Sequence, residues 1–228
     1  MDPDSSPRAD SRPPRMTPGS YLPLLAELDR WQAQAASDHP GVIPCRAGCT
    51  ACCHGPFDIS IADVAALIDA VGSLPESTRH EILARASVHA DAVRALEPEW
   101  AAPYDIRAIG DERFDRLSDA LAALPCPLLD DAGRCLVYHA RPAVCRLMGL
   151  GLVNERQDVI DNSCPIQEDF PSYRALEPQY FALDAWEDAE ESCRRAAAVQ
   201  LTADSAAAEY ETTVAMALLA WPIRPAAT

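Results

Sequence analysis

The sequence predicts a mainly α-helical protein, in which a single helical domain carries a cysteine-rich insert and has room for one short β-hairpin. Apolar residues recur at helical spacing over most of the chain, and proline or glycine residues separate the helical stretches. Nine cysteines are present, and eight of them lie in two short regions. The 228 residues suit one domain, because domains usually contain about 100–200 residues.

The first 20 residues differ in composition from the rest of the chain. They contain five prolines and almost no apolar residues, so they cannot bury enough surface to offset the entropy lost on ordering. We therefore expect residues 1–20 to form a disordered tail and residues 21–228 to form the single domain. Leu24, Leu28 and Trp31 are spaced as on one face of a first helix over residues 21–36.

Three further helices are predicted before residue 125. Ser60 and Asp63 have the spacing of a capping box, so a second helix begins at Ser60 and ends at Gly72. Apolar periodicity predicts a third helix over residues 76–97 and a fourth over residues 111–124.

The pattern changes in the second half of the chain. Residues 135–138 predict a short strand, and residues 150–153 and 158–160 flank a polar turn, as in a small hairpin. Residues 178–219 are rich in alanine and predict two helices with a break near residues 202–205. A run of acids in this region, best interpreted as a solvated helix face, comprises Glu187, Asp188, Glu190 and Glu191.

The charge balance excludes several classes of function. Thirty-five acidic residues against 19 basic ones give a net charge of −16, which disfavours nucleic-acid binding. All basic residues are arginines, so Schiff-base chemistry and a lysine general base are excluded. The N-terminal residues lack the apolar core of an export signal, and no apolar stretch is long enough to cross a membrane. We expect a cytoplasmic protein without a membrane partner.

The cysteines form two clusters with the spacing of metal ligands. In the first cluster the cysteines are separated by three, two and no residues, and thiolates so close in sequence can converge on one soft metal. In the cytoplasm, clustered cysteines bind metal more often than they form disulfides. Buried core cysteines and a disulfide framework are the alternatives that we weighed. The candidate ligands are Cys45, Cys49, Cys52, Cys53, Cys126, Cys135, Cys145 and Cys164.

The order of these motifs resembles that of a known family. Cys45, Cys49 and the pair Cys52-Cys53 are followed by Cys126-Pro-Leu-Leu, by a segment from Gly133 to Arg146, and by Cys164-Pro165. Together they are similar to the CxxCxxCC cysteine-cluster family, also called YkgJ-type, over about half of the chain. The resemblance implies a zinc- or iron-chelating domain, a version of which occurs in flagellin lysine-N-methylases. In this chain three residues, rather than two, separate the first two cysteines.

The other residues of the motif are candidates for supporting the ligands. Arg141 and Arg146 could donate hydrogen bonds to thiolates, Tyr138 could do so through its hydroxyl, and Pro142 could stiffen the turn before Cys145. The spacing Cys45, Cys49 and Cys52 is also that of radical S-adenosylmethionine enzymes. Those enzymes usually carry an aromatic residue where Ala51 stands here, and they have a partial barrel rather than helices.

The sequence therefore predicts a metal-binding protein, either an iron–sulfur protein or a zinc protein. The adjacent Cys52 and Cys53 favour iron slightly, because a polynuclear cluster spreads its ligands over a larger distance than one tetrahedral ion. Such a protein could be a redox or metal-handling accessory factor. The alternatives are a zinc-stabilised interaction module with a basic protein partner and a protein-modifying enzyme akin to the methylases. The sequence leaves enzymatic activity and oligomeric state open.

Overall fold

The computed structural model describes residues 21–46 and 48–223 and shows a mainly helical chain, as the sequence predicts. The tail predicted for residues 1–20 lies outside the described residues, and the extent of the single domain stays a prediction. The helices of the described part are α1 (Tyr21–Asp38), α2 (Ile61–Gly72), α3 (Glu76–Leu96), α4 (Asp111–Ala120), α5 (Ala143–Leu147), α6 (Pro171–Arg174), α7 (Leu183–Thr202) and α8 (Val214–Ala220).

Short strands form two small sheets. Strand β1 (Asp58–Ser60) pairs antiparallel with β5 (Glu211–Thr213), which follows it by about 150 residues. Strand β2 (Leu152–Val153) lies between β3 (Val159–Ile160), its antiparallel neighbour, and β4 (Gln179–Tyr180), which is parallel to it. The predicted hairpin is thus confirmed as β2 and β3, whereas the sequence did not predict the long-range pairings.

Helix α2 lies at the centre of the fold. Its capping box forms as predicted, since the Ser60 hydroxyl accepts the Asp63 N–H while the Asp63 carboxylate accepts the Ser60 N–H at 3.2 Å. Nearly every residue of α2 is buried, because α1, α7 and α8 all pack against it. A helix that is apolar all round must be covered on every side, and this explains its position.

A second apolar cluster lies away from α2. It brings α3, α4 and α8 together around the Trp100 indole, whose N–H donates to the Asp105 carbonyl at 2.9 Å. Its buried members are Ala90, Val93, Trp100, Ile106, Phe114, Leu117 and Met216.

Two predicted elements differ in the structure. Helix α4 ends at Ala120 rather than at residue 124, because the following turn bonds to the cysteine-rich segment, where the Gly55 N–H donates to the Leu124 carbonyl at 2.7 Å. The prediction of a strand at residues 135–138 is wrong. Cys135 forms one isolated bridge with Leu129, and a 3₁₀ turn follows directly.

The break predicted near residues 202–205 is confirmed, but the prediction that a second helix follows it is wrong as far as β5, because a 3₁₀ turn and β5 precede the short α8. Helix α7 ends at Thr202, and Ala203 then adopts a left-handed conformation with φ of 60° before a 3₁₀ turn. None of the helices in the described ranges combines the length and apolar character that crossing a lipid bilayer requires.

The core position of Leu28 predicts a large loss of stability on truncation. Leu28 is fully buried in α1, so Leu28→Ala should lower the free energy of unfolding by about 3 kcal/mol, through lost apolar burial and the cavity left behind. Urea denaturation monitored by circular dichroism measures this loss. Leu22→Ala on the same helix is the control, because Leu22 is 37% exposed and should cost less than about 1 kcal/mol. Equal losses would contradict the packing of α1.

Candidate metal centre

Backbone hydrogen bonds join the two cysteine-rich segments. The Cys126 N–H donates to the Cys53 carbonyl at 2.8 Å, and His54 and Pro125 form an antiparallel bridge beside it. This pairing holds Cys52 and Cys53 next to Cys126, although more than 70 residues separate them along the chain.

A tight turn brings the segments together at a second point. The Asp130 carboxylate accepts the N–H groups of Ala132 and Arg134, and Gly133 within the turn has φ of 73°. A side chain at Gly133 would come within 2.9 Å of the Thr50 methyl carbon, so the close approach of the two segments requires glycine here.

Four of the predicted ligands are linked by electrostatic interactions, and we call them the Cys45 group. Cys45 interacts electrostatically with the other three, and the Cys52 thiol also interacts with the Cys164 thiol. The Tyr173 hydroxyl lies 3.8 Å from the Cys45 sulfur. The members are Cys45, Cys49, Cys52 and Cys164.

We call the remaining four the Cys126 group. Cys145 interacts electrostatically with Cys126 and Cys135. Cys126 belongs to the main core, Cys53 and Cys135 pack against that core, and the Cys53 carbonyl accepts the Cys126 N–H. Cys52 interacts with Cys53 and Cys145, so it connects the two groups. The members of the Cys126 group are Cys53, Cys126, Cys135 and Cys145.

Burial raises the pKa of thiols in both groups. The Cys45 group contains the exposed Cys45 and the buried Cys164, and every member of the Cys126 group is buried or half-buried. Burial raises the pKa of the Cys126 thiol to about 12 and that of the Cys145 thiol well above its usual range. Desolvation also raises the pKa of Cys45. These thiols must lose protons to bind a metal, so binding releases protons.

The donor set fits a soft metal in kind and number. Thiolates suit both Zn²⁺ and iron–sulfur clusters, and each group supplies four of them. Among residues 21–46 and 48–223, however, no three side chains of cysteine, histidine, aspartate or glutamate converge closely enough to hold one ion as they stand.

Comparison with known proteins decides the family. Residues 44–165, just over half of the chain, match the model of the family CxxCxxCC, described as a zinc- or iron-chelating domain. The chain belongs to the CxxCxxCC family. No curated protein and no solved structure matches the chain.

Arg141 and Arg146 anchor the short helix α5, which carries Cys145. Arg146 is 2% exposed, and its guanidinium donates to the Arg141 and His139 carbonyls at 3.0 and 2.9 Å and to the Asp29 carboxylate. Arg141 donates to the same carboxylate at 2.7 Å. The hydrogen bonds predicted toward sulfur thus go to oxygen. Both charges still act on the buried Cys135 thiol, opposing the rise in its pKa caused by burial.

The other two supporting residues occupy different environments. Pro142 is buried at the start of α5, three residues before Cys145, where its fixed backbone suits a helix entry. Tyr138 is 62% exposed, and the Arg141 guanidinium lies 4.0 Å from its ring centroid. Tyr138 therefore supports Arg141 by a cation–π contact, and its predicted contact with a thiolate is not what the structure shows.

Tyr173 is a residue that the motif did not reveal. Its hydroxyl interacts with Cys45, Cys52 and Cys164, and its side chain is 1% exposed. Gly149 makes this approach possible, because a side chain at that position would collide with the Tyr173 hydroxyl. Tyr173 lies beyond the matched residues and has no spacing signal in the sequence.

A buried polar network lies beside the CxxCxxCC cysteines. The Asp63 carboxylate accepts the Tyr21 hydroxyl at 2.9 Å and the Ala143 N–H at 3.1 Å. Glu190 reaches the same network, 3.2 Å from the Tyr21 hydroxyl and 3.3 Å from the Ser60 hydroxyl. The interpretation of the acidic run as a solvated face is therefore wrong for Glu190, because α7 packs this side chain against α2.

The surroundings of Glu190 favour the protonated form of its carboxyl group. Asp63 also accepts backbone N–H groups, which oppose the rise in its pKa caused by burial. Burial, followed by the charge of Asp63, raises the pKa of Glu190 to about 7, while Arg194 acts in the opposite direction.

The anchoring role of Arg146 predicts a selective loss of stability. Arg146→Met should lower the free energy of unfolding by about 3 kcal/mol, because it leaves the Arg141 and His139 carbonyls without this donor and leaves Arg141 as the remaining arginine on Asp29. Thermal and urea denaturation measure the loss. Arg30→Met on α1 is the control, since the Arg30 side chain is 69% exposed and its loss should change stability by less than about 0.5 kcal/mol. A small effect at Arg146 would contradict the anchor.

The raised pKa of Glu190 predicts a pH-dependent stability. An ordinary carboxyl in the unfolded chain titrates near pH 4.5, so the folded state binds more protons between about pH 4.5 and 7. Its contribution to stability is complete below that window and is lost as pH rises through it. Glu190→Gln should therefore be more stable relative to the wild type at pH 8 than at pH 5, measured by urea denaturation. Glu187 is exposed on the same helix, so the stability of Glu187→Gln should change with pH in parallel with that of the wild type. If the stability of Glu190→Gln also changed in parallel with the wild type, the raised pKa of Glu190 would be refuted.

Proposed function

We propose that this protein binds zinc or iron through the Cys45 group and the Cys126 group, one metal centre in each. The observation that supports the proposal is that the fold brings cysteines of the two cysteine-rich segments together, with Cys45 interacting with Cys164 and Cys52 interacting with Cys145. Membership of a chelating family supports it independently. Two centres held in this way would tie the segments together, so bound metal would contribute to folding free energy.

Iron is our first candidate for the metal. The thiols of the adjacent Cys52 and Cys53 interact with one another, and Cys52 interacts with Cys164 as well. Neighbouring thiols that serve different centres suit clusters whose ligand positions are spread over several ångströms. Iron–sulfur clusters would supply one-electron redox chemistry, as a redox or metal-handling accessory factor requires.

The test of metal identity is metal and acid-labile sulfide analysis, with an absorption spectrum, on protein purified without oxygen. Iron with sulfide and a broad visible absorption is the expected result. Zinc in a colourless protein would favour the zinc-stabilised interaction module, with the acidic surface available to a basic partner. Protein that takes up neither metal would refute the proposal.

Cysteine variants test the two groups separately. Cys49→Ser and Cys145→Ser should each remove about half of the bound metal and lower the thermal midpoint, because each loses one ligand of one centre. Metal analysis and thermal denaturation measure both effects. Cys193→Ala is the matched control, since Cys193 is buried in α7 within the core and belongs to neither group. The Cys193→Ala variant should retain the full metal content. If Cys145→Ser also retained the full metal content, Cys145 would not be a ligand.

A further inference from the structure

Arg85 on α3 is held in a fixed position beside the Cys126 group. Its Nε donates to the Pro127 carbonyl at 2.9 Å, and Pro127 directly follows Cys126 in the chain. Because the Cys126 N–H is itself bonded to Cys53, the guanidinium and the sulfur-bearing segment are fastened to one another through the backbone.

One hydrogen-bond donor of the Arg85 guanidinium is unused among the described residues. Its Nη2 atom is buried and has no hydrogen-bond partner in the described part of the chain. Nor does Arg85 form an ion pair with any described carboxylate, whereas Arg94 on the same helix pairs with Asp91 at 2.6 Å. Arg79, also on α3, donates to the Gly72 and Leu74 carbonyls. A buried N–H group without a partner is rare in native proteins and calls for an explanation.

A Cys126 thiolate would place a negative charge close to Arg85, because Arg85 is bonded to the carbonyl of the next residue, Pro127. The Arg85 charge acts on this thiol, which is 8% exposed. Four thiolates around a divalent ion leave a net charge of −2, and a buried charge of that size needs a counter-charge or hydrogen-bond donors. The hydrogen bonds of Arg141 and Arg146 go to Asp29 and to backbone carbonyls, and none of them goes to a cysteine sulfur of the described residues.

We propose that Arg85 donates a hydrogen bond from Nη2 to the metal-bound sulfur of Cys126 and balances the charge of the Cys126 group. The inference rests on the proposed function and assigns Arg85 as a positioning residue for one of its two centres. The Cys45 group has the neutral Tyr173 hydroxyl in the corresponding place. Arg85 therefore stabilises the metal of the Cys126 group selectively.

The experiment uses the full chain loaded with Zn²⁺, and with Co²⁺ as a spectroscopic substitute, in competition with a chelator. Arg85→Gln should weaken one of the two bound ions by about ten- to hundredfold and leave the other unchanged, as for other residues that hydrogen-bond to ligands. It should also shift the sulfur-to-cobalt charge-transfer band, because the sulfur loses its donor. Arg85→Lys, which keeps the charge, should recover part of the affinity.

Arg94→Gln is the matched control, because it removes the same charge from the exposed side of α3 and should change neither affinity nor spectrum. Unchanged affinity and spectrum in Arg85→Gln would overturn the inference. If Arg85→Gln does not fold, Arg85→Lys decides, since an affinity and a charge-transfer band identical to those of the wild type would overturn it equally. A wild-type chain that takes up no Zn²⁺, Co²⁺ or iron would refute the proposed function instead.

Discussion

The attachment of the short helix α5 to α1 and α2 is the constraint on which the candidate centre depends. The buried guanidinium of Arg146 donates to the Asp29 carboxylate of α1. The Asp63 carboxylate of α2 accepts the Ala143 N–H at the first turn of α5. A helix of five residues has too few internal hydrogen bonds to persist alone, so these two buried polar contacts hold it in place. They fix Cys145, which lies between their two points of attachment.

The same contacts explain why charged residues are buried in an otherwise apolar core. Asp63 belongs to the capping box of α2, yet its carboxylate also receives Tyr21 and Ala143. One carboxylate thus sets the start of the central helix and the position of a candidate ligand. Since a buried carboxylate is costly unless donors surround it, a change at any of these partners would disturb both the fold and the centre.

The two cysteine groups differ in ways that bear on their use. The Cys126 group packs against the core, near the positive charges of Arg85, Arg141 and Arg146. The Cys45 group includes an exposed cysteine and has a tyrosine hydroxyl for its neighbour. In the proposed function, the arginine charges would favour metal in the Cys126 group, and the exposed Cys45 would give a redox partner access to the other centre.

The sequence by itself determined the local elements and the family. The helical periodicity of α1 to α3, the capping box at Ser60 and the β2–β3 hairpin depend on residues close together in the chain, and so does the cysteine spacing that defines the CxxCxxCC family. Only the tertiary structure decided which cysteines become neighbours, because that follows from long-range contacts such as Cys126 to Cys53 and Gly133 to Thr50. It also decided the partners of Arg146, Glu190 and Arg85, since a side chain's charge is visible in a sequence but its burial and its partners arise only when distant segments pack together.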